Sequence, residues 1–143
     1  MVKNIILYIF IYVFLIGCGV EPYCDECKLE LSIESLQIDE NNYYVLNFND
    51  DYVQTFTKIK ADVGKDYEYV EWTSNTHFKV ETFGYQEEVN VVNGVGYSDE
   101  YGYAYTMMGV YQSNIGDTVI IYCGYYDDYG VQYLDSLGVI INE

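Results

Sequence analysis

Arginine is absent from this 143-residue chain, and only six lysines stand against 23 aspartates and glutamates, a formal net charge of −17. Binding to nucleic acid depends on cationic groups that displace phosphate counterions, so this composition excludes nucleic acid as a partner. The same shortage excludes a basic patch that would attract anionic lipid headgroups. The acidity therefore serves solubility, or it offers carboxylates to a cation.

Catalytic motifs are also missing. The chain has no HExxH motif, phosphate-binding loop, GxGxxG motif or serine in a nucleophile elbow. Its only histidine, His77, lies on the same side of its predicted strand as Lys79 and Glu81, so we expect it on the solvent face. Without a nucleophile–base pair we predict that the protein is not an enzyme. A hydrolase based on paired carboxylates is the catalytic alternative that 23 acids leave open.

The N-terminal segment combines Lys3 with an uncharged run from Ile5 to Ile16. This run is shorter than the roughly 20 residues of a membrane-spanning helix, and it is typical of a signal peptide. The sequence Leu15-Ile16-Gly17-Cys18 resembles the lipobox of bacterial lipoproteins. The resemblance implies cleavage before Cys18, a lipid on its thiol, and a membrane-anchored protein outside the cytoplasm, in the bacterial cell envelope. An uncleaved N-terminal anchor is the alternative.

Cleavage at that point would leave a tether, residues 18–28, and one domain, residues 29–143, that is large enough to bury a core. The domain has no helical period. Instead, short apolar or alternating runs are separated by turn residues at regular intervals, which predicts an all-β fold. The predicted strands are Leu29–Gln37, Tyr43–Phe48, Val53–Ala61, Tyr67–Thr73, His77–Phe83, Val89–Tyr97, Tyr103–Val110, Thr118–Tyr126 and Val131–Ile141.

One pair of predicted strands resembles the C and F strands of immunoglobulin-like and PKD-like domains. Trp72 lies mid-strand, and further along the chain Ile115-Gly116-Asp117 leads into an apolar strand that contains Cys123. The resemblance covers residues 53–141, although the usual strand-B cysteine is absent from residues 53–63. It implies an immunoglobulin-like antiparallel β-sandwich, and it carries no function with it.

Three cysteines, Cys24, Cys27 and Cys123, remain once Cys18 is assigned to the lipid. In an oxidising compartment we expect one disulfide among the three, and Cys123 on its apolar strand is the natural core thiol. Cys24 and Cys27 have CxxC spacing, but the tether is not the helix start that a redox pair needs. A zinc site built from the three cysteines and His77 is the alternative, although a second CxxC-type half is missing.

Residues 96–105 and 124–133 share the frame G-Y-x-D-acid-Y-G-x-x-Y. Each is typical of a hairpin tip in which glycine takes the left-handed conformation. If successive strands alternate in direction, four tips meet at one end of the domain, and three loops meet at the other. The four tips are residues 49–52, 74–76, 98–101 and 127–129, and the three loops are residues 63–66, 84–88 and 112–116.

The end with the acidic tips is the predicted working surface. Its carboxylates repel one another unless they stay solvated or bind a cation. Calcium is the cation that suits oxygen ligands on flexible loops, with Asp99, Asp127 and Asp128 as its candidates. The leading function is a lipid-anchored, non-catalytic binding module for a glycan or a protein, because tyrosine offers amphipathic contacts. The alternative is a calcium-stabilised structural spacer or adhesin-type domain. The predicted binding residues are Asp50, Asp51, Tyr52, Asp99, Glu100, Tyr101, Asp127, Asp128 and Tyr129.

Overall fold

Strands make up most of the regular structure. The computed structural model describes residues 24–92 and 94–143, so the predicted signal peptide, residues 1–17, and Cys18 lie outside the described residues. Within the described ranges there is one 3₁₀ helix, Gln112–Asn114, and no α-helix, which confirms the all-β prediction. The strands are β1 (Glu30–Ser32), β2 (Gln37–Ile38), β3 (Tyr44–Asn47), β4 (Gln54–Asp62), β5 (Tyr69–Ser74), β6 (His77–Thr82), β7 (Tyr85–Asn90), β8 (Val95–Tyr97), β9 (Tyr103–Tyr111), β10 (Thr118–Tyr126) and β11 (Gln132–Asn142).

Two sheets carry nine of these strands. One sheet has the order β1-β4-β9, and the other has the order β2-β3-β11-β10-β5-β8. The pairings are antiparallel except that of β3 with β11, which is parallel. Immunoglobulin domains place strands A, B and E in one sheet and strands C, F and G in the other. The groups β1-β4-β9 and β5-β10-β11 reproduce that division, so the immunoglobulin-like sandwich is confirmed.

Alternation along the strands builds the core between the two sheets. Ile121 and Cys123 of β10 are buried, and so are Ile59 of β4 and Met108 of β9 on the opposite sheet. Trp72 of β5 is also buried and pairs directly with Cys123, as expected for neighbouring C and F strands. Full burial of one large apolar side chain contributes about 1.5–3 kcal/mol. This term determines which side of each strand faces inward.

β6 and β7 form a separate hairpin. Its turn is Phe83-Gly84, and both residues have positive φ, at 53° and 81°. Two consecutive positive φ values are typical of the two-residue turn that hairpins favour. The loop predicted at residues 84–88 is therefore wrong beyond its first residue, because the chain re-enters a strand at Tyr85.

The predicted strand Val89–Tyr97 is also wrong, because it consists of the end of β7 and the whole of β8. Between them the chain crosses to the other sheet. There the carbonyl of Val91 accepts a hydrogen bond from the N–H of Gly109 at 2.9 Å, and Val92 forms a bridge with β9. Both valines are buried. Contact with β9 stabilises Val91 and Val92 in this position. The crossing divides the one predicted strand into two, β7 and β8.

The folded part begins before residue 29. The N–H of Lys28 donates to the carbonyl of Val63 at 3.0 Å, and Cys27 packs against the core. The predicted boundary between tether and domain therefore falls inside the folded part.

Candidate functional site

The acidic tips lie at both ends of the sandwich. β4 and β9 are antiparallel, with Asp62 opposite Tyr103 and Gln54 opposite Tyr111. The tip at residues 98–101 precedes Tyr103, whereas the tip at residues 49–52 precedes Gln54, so the two are at opposite ends. Asp50, Asp51 and Tyr52 line a cleft with Tyr111, Gln112 and Ser113. Their predicted convergence with the other acidic residues is wrong.

Two other loops also lie at ends different from those predicted. The N–H of Asn75 donates to the carbonyl of Ile120 near the start of β10, which places residues 74–76 at the end of the 49–52 tip. The carbonyl of Lys65 accepts a hydrogen bond from the hydroxyl of Ser98 at 2.7 Å, which places residues 63–66 beside the 98–101 tip. Two predicted strands are divided in the structure: residues 29–37 contain β1 and the start of β2, and residues 89–97 contain the end of β7 and the whole of β8. The second division adds one strand between the 74–76 loop and the 98–101 tip, so the predicted alternation of ends is wrong from there.

The tips at residues 98–101 and 127–129 do share one end, and their aspartates form the turns. Oδ1 of Asp99 accepts from the N–H groups two and four residues further on, and Oδ1 of Asp127 does the same, at distances of 2.8–3.0 Å. Gly102 and Gly130 follow with φ of 79° and 78°. Local bonding of this kind is the usual reason for aspartate in turns. Asp99 and Asp127 therefore have a structural role whether or not they bind a ligand.

A third turn has the same pattern without matching the sequence frame. Oδ1 of Asp39 accepts from the N–H groups of Asn41 and Tyr43 at 2.9 and 2.8 Å, and Asn42 takes the left-handed position with φ of 65°. The hydrogen bond from Tyr43 is the largest factor that lowers the pKa of Asp39 below its ordinary value. The turn is therefore a general device of this chain and does not mark a binding end.

Lys65 supplies a cation to the end that carries the tips at residues 98–101 and 127–129, which we call the acidic end. Its Nζ lies 2.5 Å from Glu68 and 2.7 Å from Oδ2 of Asp128. Hydrogen bonds with Asp128 and Glu68 raise the pKa of Lys65 above its ordinary value. Ion pairs such as that with Asp128, whose side chain is 78% exposed, contribute little to stability. They nevertheless mean that the protein's own ammonium already occupies one of the carboxylates assigned to calcium.

The remaining predicted residues of this end, Glu100, Tyr101 and Tyr129, are exposed. Tyr101 is 73% exposed and Tyr129 is 56% exposed. Only Tyr129 belongs to the small cleft in front of Lys65, which Asp127 and Asp128 also line. The acidic end therefore holds six of the nine predicted binding residues, and three of the six line the cleft.

The cysteines divide as expected between one disulfide and one core thiol. The structure joins Cys24 to Cys27, and Cys123 is a free, buried thiol whose pKa burial raises to about 12. His77 is exposed on the β6–β7 hairpin, away from Cys123 in the core. The structure therefore does not bring the three cysteines and His77 together as a zinc site.

A different surface carries an apolar groove. The outer side of β8, β5, β10 and β11, which we call the tyrosine face, exposes four tyrosines and two aliphatic side chains. The exposed fractions are 43% for Tyr69, 67% for Tyr97, 45% for Tyr122, 61% for Tyr126, 64% for Val95 and 68% for Leu134. An apolar cluster on the outside of a folded protein is typical of an interaction site.

The groove along this face has a volume of about 370 Å³. The rings of Tyr69 and Tyr97 meet edge to face at 5.4 Å. A Cβ on Gly124 would lie 2.6 Å from Cδ2 of Leu134, so the glycine lets Leu134 lie across the floor. The groove is lined by Tyr69, Glu71, Trp72, Thr73, Gly94, Tyr122, Cys123, Gly124, Tyr125, Tyr126, Gln132 and Leu134. It therefore combines aromatic walls with a few polar side chains, the usual composition of a small-ligand site.

Sequence reasoning missed this groove, although one signal was present. The run Thr118–Tyr126 is apolar at nearly every position, which predicts a central strand. In a two-layer sandwich each sheet has one side against the core and one outside. Val119, Ile121 and Cys123 take the core side, so Tyr122 and Tyr126 must face outward. Large aromatic residues on the outward side of this strand were the available evidence for a binding surface.

Within residues 24–92 and 94–143, no helix has the length and apolar character needed to cross a membrane.

Comparison with known proteins gives little further information. No family model matches the chain, and no curated protein matches it. Among solved structures it is similar to the crystal structure of Spo0M, a sporulation control protein from Bacillus subtilis, with 8% sequence identity and a TM-score of 0.35. The match covers 84% of this chain and 51% of that chain, so this chain spans about half the length of that protein.

Proposed function

We propose that this protein is a lipid-anchored, non-catalytic binding module of the bacterial cell envelope that holds a glycan on its tyrosine face. The observation that carries the proposal is the aromatic groove on the outside of the larger sheet. Four tyrosines there remain 43–67% exposed, on neighbouring strands and beside the exposed side chains of Val95 and Leu134. Tyrosine side chains offer rigid, amphipathic contact area with little loss of conformational entropy on binding.

The groove favours a glycan by its size and by its polar residues. A volume of about 370 Å³ lies within the range of small-ligand sites, roughly 300–1,000 Å³. The C–H face of a sugar ring packs on a tyrosine ring, and sugar hydroxyls can donate to Glu71 and exchange hydrogen bonds with Gln132 and Thr73. The net charge of −17 repels anionic ligands, so a neutral or cationic glycan is expected.

The predicted anchor also favours the tyrosine face over the acidic end. Cys18 precedes Cys24 by six residues, which span at most about 21 Å when fully extended. Cys24 lines the cleft that contains Lys65 and Asp128. A lipid on Cys18 would therefore hold the acidic end near the membrane surface. The side of the larger sheet would remain open to ligands in the surrounding space.

A glycan array with the unlipidated full chain, carrying Cys18→Ala, tests the proposal. We expect Tyr122→Ser and Tyr126→Ser each to weaken binding of the selected glycan about tenfold or more, equivalent to about 1.4 kcal/mol. Tyr101→Ser and Tyr129→Ser are matched controls, because both tyrosines are exposed at the acidic end. The controls should bind like the parent chain.

Three results would count against the proposal. Loss of binding in the two controls alone would return the function to the acidic end. Binding to no glycan, together with capture of an envelope protein that depends on Tyr122 and Tyr126, would change the ligand class from glycan to protein. Equal binding by all four variants would remove the tyrosine face as a site.

A further inference from the structure

Asp127 has one carboxylate oxygen that its turn does not use. Oδ1 accepts the N–H groups of Tyr129 and Val131 at 2.9 and 2.8 Å. Oδ2 is buried and has no hydrogen-bond partner, and the whole residue is only 6% exposed. A buried, unsatisfied carboxylate oxygen is costly, and in a native structure it needs an explanation such as an ion.

The disulfide between Cys24 and Cys27 lies directly beside this carboxylate. The two Sγ atoms and a carboxylate oxygen of Asp127 all lie within 4.8 Å of one another. Cys24 and Asp127 also border the cleft of about 240 Å³, together with Asp25 and Asp128. Two sulfurs at CxxC spacing and one carboxylate are three ligands of the kind that zinc uses.

We propose that reduction of the Cys24–Cys27 disulfide creates a zinc site whose third protein ligand is Oδ2 of Asp127. A thiol or phosphine reductant supplies two electrons, the S–S bond breaks, and the sulfurs take up two protons as thiols. Zn²⁺ then displaces both protons to solvent and forms two Zn–S bonds and one Zn–O bond. The fourth position opens toward the cleft, where water completes the tetrahedron.

Reduction allows the ligand atoms to reach the spacing that this metal needs. Zn–S bonds of about 2.3 Å and Zn–O bonds of about 2.0–2.2 Å place tetrahedral ligand atoms roughly 3.5–3.8 Å apart. The three atoms already lie within 4.8 Å of one another, and the bonded sulfurs, which are closer together than this spacing, separate once the S–S bond is broken. Thiolate ligands select zinc over calcium, which prefers six to eight oxygens. The site therefore differs in its chemistry from the calcium site predicted at Asp99, Asp127 and Asp128, with which it shares only Asp127.

This proposal is independent of the tyrosine face. Outside the cytoplasm the disulfide is the resting form. Zinc would bind there only when a reductant acts on the pair. Zinc binding would then depend on the redox state of the compartment. The site is at the end of the domain that the predicted lipid holds near the membrane.

Cobalt(II) titration of the full chain carrying Cys18→Ala is the test. Protein reduced with a phosphine under anaerobic conditions should give a thiolate-to-cobalt charge-transfer band and tetrahedral ligand-field bands, and zinc should abolish both. Oxidised protein should give neither. Asp127→Asn keeps an Oδ1 acceptor for the turn and should weaken zinc binding at least about tenfold, because even outer-sphere ligand partners contribute 10–100-fold to metal affinity.

Two variants serve as controls. Asp128→Asn removes a neighbouring carboxylate that is paired with Lys65, and Cys123→Ala removes the core thiol; both should keep the spectrum. Circular dichroism and thermal melting check that every variant is folded. A reduced protein without the charge-transfer band would overturn the proposal. A folded Asp127→Asn variant with unchanged zinc affinity would equally overturn the role of Asp127.

Discussion

Replacement of Tyr125 by phenylalanine tests how the segment around Lys28 is held against the domain. The hydroxyl of Tyr125 donates to the carbonyl of Lys28 at 3.0 Å and approaches the carbonyl of Val63 at 3.3 Å. Its ring is buried and stacks on Tyr133 with centroids 4.9 Å apart. Phenylalanine keeps the ring contact and removes only the hydroxyl, so the measured effect belongs to the hydrogen bond.

The expected cost follows from what each carbonyl retains. The carbonyl of Val63 still accepts the N–H of Lys28 at 3.0 Å, so it keeps a partner. The carbonyl of Lys28 loses the hydroxyl of Tyr125. The net value of one such bond is about 0.5–1.5 kcal/mol, and leaving an acceptor unpaired adds to the cost. We expect Tyr125→Phe to lower the free energy of unfolding by about 1–2 kcal/mol.

The effect should shrink at high pH. Burial raises the pKa of Tyr125 from its ordinary value of 10 to about 12. A raised pKa in the folded state means that the stabilisation is complete below about pH 10 and is lost as the pH rises toward 12. Phenylalanine cannot ionise, so the variant escapes that loss. The difference between parent and variant should therefore decrease between pH 10 and pH 12.

Urea unfolding monitored by circular dichroism, repeated across this pH range, measures both effects. Tyr126→Phe is the control, because its side chain is on the same strand but is 61% exposed. The control should change stability by no more than about 0.5 kcal/mol at any pH. Equal destabilisation by the two variants would refute the role of the hydroxyl, and so would a neutral Tyr125→Phe.

Three further predictions test the anchor, the turns and the calcium site. Cys18→Ala should abolish metabolic labelling with palmitate, and unchanged labelling would contradict lipidation. Gly102→Ala should lower the melting temperature more than Gly130→Ala. Both glycines have positive φ, but only a Cβ at residue 102 would lie 3.0 Å from the backbone of Gly64. Equal shifts would show that this close contact has no effect on stability. Millimolar calcium should leave the melting temperature unchanged relative to chelator, since Asp128 is paired with Lys65, and an increase would support the calcium-stabilised spacer.

Much of the sandwich could be predicted because its central strands follow local rules. Cys123 was expected as a core thiol, and it is buried and pairs directly with the buried Trp72 on the neighbouring strand. The break within residues 89–97 could not be predicted, because its residues alone have the pattern of one strand. Hydrogen bonding of Val91 to Gly109 on the opposite sheet creates that break. A contact between distant segments therefore overrides the local preference.

The candidate site shows the same limit in a more consequential form. Acidic turns were visible in the sequence, but their aspartates are engaged by backbone N–H groups, as at Asp99, and this bonding explains their presence without a ligand. The tyrosine face was hidden, because Tyr69, Tyr97 and Tyr122 are far apart in sequence and become neighbours only through the order β8-β5-β10. A conspicuous residue pattern can thus reflect local turn formation, whereas a surface shared by several strands requires their spatial order. That physical difference explains why the acidic end was predicted from the sequence and the tyrosine face was not.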